Sequence, residues 1–404
     1  MKQVSGSIKL LIYSDYFLPS VGGVETSVEL LARGLTNRFP DGDPSSADRI
    51  EITLVTQTAS NGMDDSIFPY RVVRRPRFIE LVRIMLQSDV VHLAGPCLVP
   101  LALTRVLGKP TVVEHHGYQV SCPNGLLLLE PQKTCCPGHF MAKRYRKCLK
   151  CNSYAMGLWK SLKGLLLMFP RRWLCQKIEV NVTITEHVLF RLGLPRSRTV
   201  YYGVENVNPR PIESEEGVER PLRLAYLGRL VSEKGLPVLF RAVQLLEKDG
   251  LPFRLTVIGD GPQRNNLEAL ANEIGIDHRV TLAGVMQRQQ VDEALRMTDV
   301  VVMPSLWEET AGLAAIEQMM SGGAVVVSDI GGLAEVVGDA GLKFAPGSSE
   351  ELYSCLKIIA EDRRKIRQLG SLGRARALKE FSAGRYIMQH AALYRELRHR
   401  RRHS

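Results

Sequence analysis

Short β-branched, apolar runs alternate with longer amphipathic stretches along almost the whole chain, and midway the alternation stops and starts again. Its first round offers strands at 8–14, 50–56, 70–74, 90–93, 111–115, 180–185 and 199–202. Between the first two, Val24, Val28, Leu31, Leu35 and Phe39 recur at helical spacing over 23–39. The second round offers strands at 223–227, 254–258, 279–283, 300–304, 324–328 and 342–344, with helices such as 236–246 and 263–274 between them. Parallel strands need long crossovers, and helices supply them, so the pattern predicts α/β domains with helices on both faces of a parallel sheet. Residues 205–221 separate the rounds and are polar and rich in Pro and Glu, as a linker is. Two doubly wound Rossmann-like domains are expected, 1–204 and 222–382, followed by a closing helix and basic tail over 383–404. The closing helix is read as 383–398, with the tail beyond it frayed. At 404 residues the chain is long enough for two cores. Their strand C-termini are expected to open on a shared central cleft, where sheets of this kind bind ligands.

The bulk numbers narrow the setting. Hydrophobic residues make up 45% and charged residues 24%, the balance of a soluble enzyme. The longest apolar run, 164–169, falls far short of the ~20 residues that span a bilayer. The N-terminus offers only 10–13 where a signal-peptide core takes ~7–15 residues, so a cytoplasmic location is expected. Net charge is +11, and residues 140–200 carry it all, with thirteen Lys/Arg against Glu179 and Glu186. Such a patch suits nucleic acid, an anionic membrane surface or a phosphorylated substrate; its bland alternative is a solvated basic face. Eight cysteines in a reducing compartment argue against a disulfide framework.

Three segments of the second domain carry chemistry. Gly228-Arg229-Leu230-Val231-Ser232-Glu233-Lys234-Gly235 follows a strand and opens a helix. Glycine permits the tight turn, and Arg229 and Lys234 suit a diphosphate, one as a fork and one as a point charge. Ile258-Gly259-Asp260-Gly261-Pro262 is a second strand-to-helix turn, where backbone at Gly259 and Gly261 can approach a nucleotide. Read alone, either is as easily an ordinary surface loop. The sharpest signal is Pro304-Ser305-Leu306-Trp307-Glu308-Glu309-Thr310-Ala311-Gly312-Leu313, running on to Glu317. It reads strand, loop, helix, with Glu309 on the loop and Glu317 on a helix starting near Gly312. The amides of Ala311, Gly312 and Leu313 at that helix start suit a phosphate. Glu309 suits sugar hydroxyls and Glu317 ribose hydroxyls.

In this order the motifs resemble the retaining glycosyltransferases of family 4, which have the GT-B fold. The likeness spans nearly the whole chain. It begins at Val21-Gly22-Gly23-Val24-Glu25, passes through Pro110-Thr111-Val112-Val113-Glu114-His115-His116-Gly117 and Gly203-Val204-Glu205, and ends in the three segments above. The resemblance implies transfer of a sugar from a nucleoside-diphosphate sugar to an acceptor hydroxyl, with no cofactor or metal for catalysis. It implies that Gly23 lets its loop approach the diphosphate and that His116, which precedes the glycine, hydrogen-bonds a donor hydroxyl near the anomeric carbon. Arg229 and Lys234 would neutralise the leaving diphosphate, Glu309 would hold the sugar, Glu317 the ribose, and Val285 would lie near the base. Departures from the family pattern are Tyr202 for an Asn, Glu205 for an Asp, and Ala311 for an aromatic. They bear on sugar choice rather than on the reaction.

The stretch 119–175 reads as an insertion. Cys122, Cys135 or Cys136, Cys148 and Cys151 have the spacing of a structural zinc site, with His139 in reserve; partly buried, unligated thiols are the equal alternative. Within it, 159–173 joins Trp159 and Trp173 to an apolar middle and to Lys160, Lys163, Arg171 and Arg172. That pattern suits a segment lying at a membrane interface, hence a peripheral location and a lipid-linked acceptor; an ordinary core helix with a basic rim fits as well. Phosphorylase or sugar-nucleotide epimerase chemistry would use a similar pair of domains. A zinc-containing nucleic-acid-binding protein is the reading from another class, but it has no use for the Glu309/Glu317 pair, and no nucleic-acid partner is expected.

Overall fold

The computed structural model describes residues 7–20, 22–38, 49–209 and 220–402. Val21 of the first glycine loop, residues 210–219 of the linker and the last two residues of the tail lie outside these. The chain forms two compact units, one from Met1–Leu127, Pro137–Gly203 and Ala383–Ser404, the other from Leu128–Cys136 and Val204–Ser382.

The first unit holds a seven-stranded sheet in the order Arg71–Arg74, Ile50–Thr56, Ile8–Ser14, Val90–Leu93, Thr111–His115, Val180–Thr183, Ser197–Thr199. Every neighbouring pair is parallel. The strand order reverses direction beside the first strand, the topological switch point at which doubly wound sheets bind ligands. Helix Gly23–Arg38 lays Val28, Leu31 and Leu35 on this sheet, the face its sequence period marks out. The strand expected at 199–202 sits earlier, at Ser197–Thr199, because beyond it the chain turns and Tyr202 is drawn to His116 (Tyr202 hydroxyl to His116 Nδ1, 2.7 Å).

The closing helix belongs to the same unit. Tyr386, Ala391, Tyr394 and Leu397 enter the core with Leu10, Ile12 and Leu54. It runs Ala383–Arg402, past the 398 at which fraying was expected. Glu396 explains the extension: it accepts from Arg400 one turn on, at 2.6 Å, and from Arg198, at 2.8 Å, giving the basic end an acidic anchor.

Of the insertion, helices Tyr145–Met156 and Leu158–Cys175 lie in the first unit. The short antiparallel pair Leu128–Leu129 and Thr134–Cys135 groups with the second. No helix among the described residues is long and apolar enough to cross a membrane.

The second unit holds six strands in the order Val280–Gly284, Phe253–Ile258, Leu222–Leu227, Val300–Met303, Ala324–Ser328, Leu342–Phe344, again all parallel. The first and fourth of these along the chain are neighbours, so this sheet has its own switch point, between Leu222–Leu227 and Val300–Met303. Its central strands Val300–Met303 and Ala324–Ser328 are buried on both faces and read as nearly unbroken β-branched runs rather than alternating ones.

Two backbone approaches shape the head of that sheet. Gly235 has φ +68°, and a Cβ there would stand 1.9 Å from the Pro304 carbonyl oxygen. Only a residue without a side chain lets the loop after Leu222–Leu227 lie against the end of Val300–Met303. The contact is closed by the Leu306 amide donating to the Glu233 carbonyl at 2.8 Å. Gly259, with φ +132°, approaches the Gly228 carbonyl in the same way, at 2.0 Å from its would-be Cβ.

Gly250 provides a control, since its φ is +69° but nothing lies within 4 Å of a Cβ there. Gly250→Ala should therefore cost only the ~1 kcal/mol of a left-handed Ala. Gly235→Ala adds the collision and should lower the melting transition several degrees further, measured by calorimetry on both variants. Equal shifts would show that the close approach is not needed.

Candidate functional site

At the switch point of the second unit, the two strand ends deliver opposite charges to one place. Lys234 closes a short 3-10 turn, Ser232–Lys234, and its Nζ lies 2.8 Å from Glu309 Oε1. Glu309 is 5% exposed, and the Ser305 hydroxyl donates to the same oxygen. The Glu309 carbonyl accepts from the Gly332 amide at 2.7 Å, which pins the loop to the start of helix Gly331–Val337. Trp307 lies beside Lys234, with Nζ 5.9 Å from the centre of a ring. A buried carboxylate is costly unless paired, and Lys234 and Ser305 pair it.

Around this pair the other residues singled out from the sequence take the following places. Arg229 is exposed, its carbonyl held by the Tyr226 hydroxyl at 2.9 Å, so the guanidinium is free of core packing. Gly259 and Gly261 form the neighbouring turn, tied to the Arg229 loop by Leu230 N to Asp260 O (2.9 Å) and Gly228 N to Ile258 O (3.0 Å). Ala311 is buried, Gly312 caps helix Leu313–Met320 with φ +83°, and Glu317 lies half-buried on that helix, on the expected side of the loop–helix boundary. Val285 is 81% exposed. Ser305 and Trp307 were not singled out from the sequence, although both lie inside the segment that was.

The first unit presents a different picture. Gly23 is exposed and opens helix Gly23–Arg38. His116 follows strand Thr111–His115, with its side chain 5% exposed and its ring stacked on Tyr202 at 5.7 Å between centres. Nδ1 meets the Tyr202 hydroxyl, and Nε2 faces Glu114 Oε2 at 3.7 Å. Both ring nitrogens therefore point inward, and a sugar hydroxyl can be reached only if the Tyr202 bond opens. Burial, opposed by Glu114, holds His116 below its ordinary pKa, so the ring is neutral near pH 7. Burial also lowers His115, to about 4, and its Nε2 bonds Asn181 Oδ1 at 2.9 Å, a structural role. Tyr202, noted from the sequence only as a departure, is His116's partner. Burial and the Glu114 charge raise its phenol well above the usual value.

Cys122, Cys148 and Cys151 are buried in the first unit, the last two one turn apart on helix Tyr145–Met156. Cys135 belongs to the second unit, with its sulfur 3.5 Å from the Leu306 carbonyl. None of the eight cysteines is in a disulfide. Buried thiols at i and i+3 have the donor chemistry of half a zinc site, but among the described residues no three cysteines gather their sulfurs about one point.

The family described as Glycosyl transferases group 1 matches residues 210–376. The 2-deoxystreptamine glucosyltransferase of Streptomyces kanamyceticus is 33% identical over 171 residues, 42% of this chain and 43% of that one. The chain spans less than half the length of the first curated relatives it matches. Among solved structures, HepE of Anabaena, in complex with UDP and glucose, superposes with a TM-score of 0.68 at 17% identity, over 95% of this chain and 98% of that one. Sucrose-phosphate synthase of Thermosynechococcus elongatus gives 0.68 at 18% identity, over 96% and 99%. At such identities the likeness speaks for the fold, which is GT-B, and within it residues 210–376 match the glycosyl transferases group 1.

Proposed function

We propose that the chain is a retaining glycosyltransferase of family 4, moving a sugar from a nucleoside-diphosphate sugar to an acceptor hydroxyl without a catalytic metal. The observation that carries this reading is the Lys234–Glu309 pair at the switch point of the second sheet. A diphosphate beside it competes for Lys234, whose three donors allow it to serve phosphate and carboxylate together. Arg229 adds a fork-shaped cation, and the helix start at Gly312 and Leu313 adds backbone dipole. Glu309 then accepts from sugar hydroxyls, Glu317 from the ribose, and Val285 lies by the base.

In the reaction the acceptor oxygen bonds to the anomeric carbon while the bond from that carbon to the phosphate oxygen breaks. The acceptor proton passes to the leaving phosphate on the same face, which retains configuration. The negative charge that develops on the diphosphate is what Arg229 and Lys234 stabilise. The UDP and glucose bound by HepE support a sugar-nucleotide donor in this fold.

Glu309→Ala and Lys234→Ala should each lower turnover by about 10²–10³-fold, roughly 3 kcal/mol, with the circular dichroism spectrum unchanged. The assay is release of nucleoside diphosphate from a panel of UDP-, GDP- and ADP-sugars, which also identifies the base. Near-normal rates in both variants would remove the site assignment.

Turnover should also survive excess EDTA over minutes, because protein groups carry the diphosphate. Prompt loss that magnesium or manganese restores would contradict this. We also propose that Cys148 and Cys151 contribute to a structural zinc, in which case a slower loss with EDTA should coincide with unfolding and release of sulfur-bound zinc.

The acceptor is proposed to be membrane-proximal. On helix Leu158–Cys175 the side chains of Leu165 and Met168 face the core, whereas Trp159 is 82% exposed and Leu158, Leu166, Phe169 and Trp173 are exposed beside Lys160 and Lys163. Arg171 and Arg172 are occupied by the carbonyls of Pro96, Val120, Leu192 and Gly193, so the lysines and aromatics form the membrane face. Cosedimentation with anionic vesicles should fall with salt and weaken when Lys160, Lys163 and Trp159 are replaced. A protein that stays in the supernatant at low salt has a soluble acceptor instead.

A further inference from the structure

The core of the first unit contains a carboxylate ringed by imidazoles. Glu114, on strand Thr111–His115, is wholly buried, and no lysine or arginine pairs with it among the described residues. The Tyr386 hydroxyl donates to it at 3.2 Å. Three histidines face it: His92 Nε2 at 3.2 Å, His116 Nε2 at 3.7 Å and His390 Nε2 at 3.8 Å. They come from the neighbouring strand Val90–Leu93, the end of Glu114's own strand, and the closing helix. Each of these three nitrogens is buried without a hydrogen bond.

The opposite nitrogen of each ring is engaged. His92 Nδ1 meets the Tyr394 hydroxyl at 2.9 Å, His116 Nδ1 the Tyr202 hydroxyl at 2.7 Å, and His390 Nδ1 the Tyr386 carbonyl at 3.1 Å. A carbonyl only accepts, so His390 carries its proton on Nδ1 and, as a neutral ring, turns the Nε2 lone pair toward a carboxylate oxygen. Two acceptors facing each other in a dry core repel, and a buried carboxylate with no cation beside it is costly. A cation between them removes both costs. Imidazoles held at Nδ1 by an outer partner, with Nε2 directed inward, are the usual ligands of such an ion.

We propose that His92, Glu114 and His390 form a buried structural zinc site that ties the closing helix to the first sheet. The ligand atoms of the three lie within 4.8 Å of one another. Tetrahedral zinc with nitrogen and oxygen ligands at about 2.0–2.2 Å separates its ligands by about 3.3–3.6 Å. His92 Nε2 stands 3.2 Å from Glu114 Oε2 and His390 Nε2 3.8 Å from Oε1, close to that spacing. All three ligands are wholly buried, so the ion holds structure and takes no part in sugar transfer. The site is independent of the reading given for the second unit.

The test uses the full chain expressed with zinc in the medium and passed through gel filtration. Mass spectrometry gives zinc per chain, and X-ray absorption at the zinc edge gives the ligand shell. The expected result is a nitrogen/oxygen shell at about 2.0–2.1 Å and a count that falls by one in His390→Gln. A cysteine-bound zinc shows sulfur at about 2.3 Å and persists in that variant, so the two sites are counted separately. A chain without zinc, a shell of sulfur only, or an unchanged count in folded His390→Gln overturns the proposal. If His390→Gln fails to fold, the shell of the unaltered chain decides alone. None of these readouts depends on turnover, so they separate this site from the proposed transferase activity.

Discussion

The backbone of Gly235 rests against the carbonyl of Pro304, and the charge pair at the head of the second sheet follows from that contact. Because no side chain intervenes, the loop carrying Lys234 reaches the loop carrying Glu309, and their charged atoms meet at 2.8 Å. Gly259 has the same role in the neighbouring loop, against Gly228. The sheet's strand order puts these loops side by side, and the glycines let them close. A glycine-rich head of a sheet is thus the means by which residues 75 positions apart come to share one oxygen environment.

Charge is handled differently in the two units. In the second, a half-buried lysine balances a nearly buried glutamate, so an incoming anion meets a cation already held in place. Preorganised charge of this kind needs little rearrangement when negative charge develops nearby. In the first, the carboxylate of Glu114 is sealed inside the core among imidazoles and phenols, and the closing helix supplies a histidine and two tyrosines to that cluster. That helix follows the whole second unit in sequence yet belongs to the first unit's core. The first unit is therefore incomplete until this returning helix has been made.

Much of this was legible in the residues. The strand–helix alternation announces two parallel sheets because β-branched runs bounded by glycine have few other uses. The Glu309 loop and the helix after Gly312 fall where Gly312, an αL cap without a side chain, requires them. The 197–199 strand was misplaced by a few residues because Val200 and Tyr202 look like strand but serve other contacts. Helix Ala383–Arg402 outran its expected end because the Glu396 partners come from one turn ahead and from Arg198 far upstream.

Local pattern, then, determined the elements, their order and the identity of the charged loops, since these depend on side-chain period and on backbone freedom at glycine. What only the tertiary structure decided is which groups meet. His116 looked available in sequence, and packing turned both its nitrogens inward, toward Tyr202 and Glu114. Arg171 and Arg172 looked like surface charge, and packing turned them onto backbone carbonyls. His92, Glu114 and His390 carry no common motif, because their spacing of 22 and 276 residues has no period. They meet because adjacent parallel strands and one returning helix converge there, and burial then makes each group's charge dependent on the others.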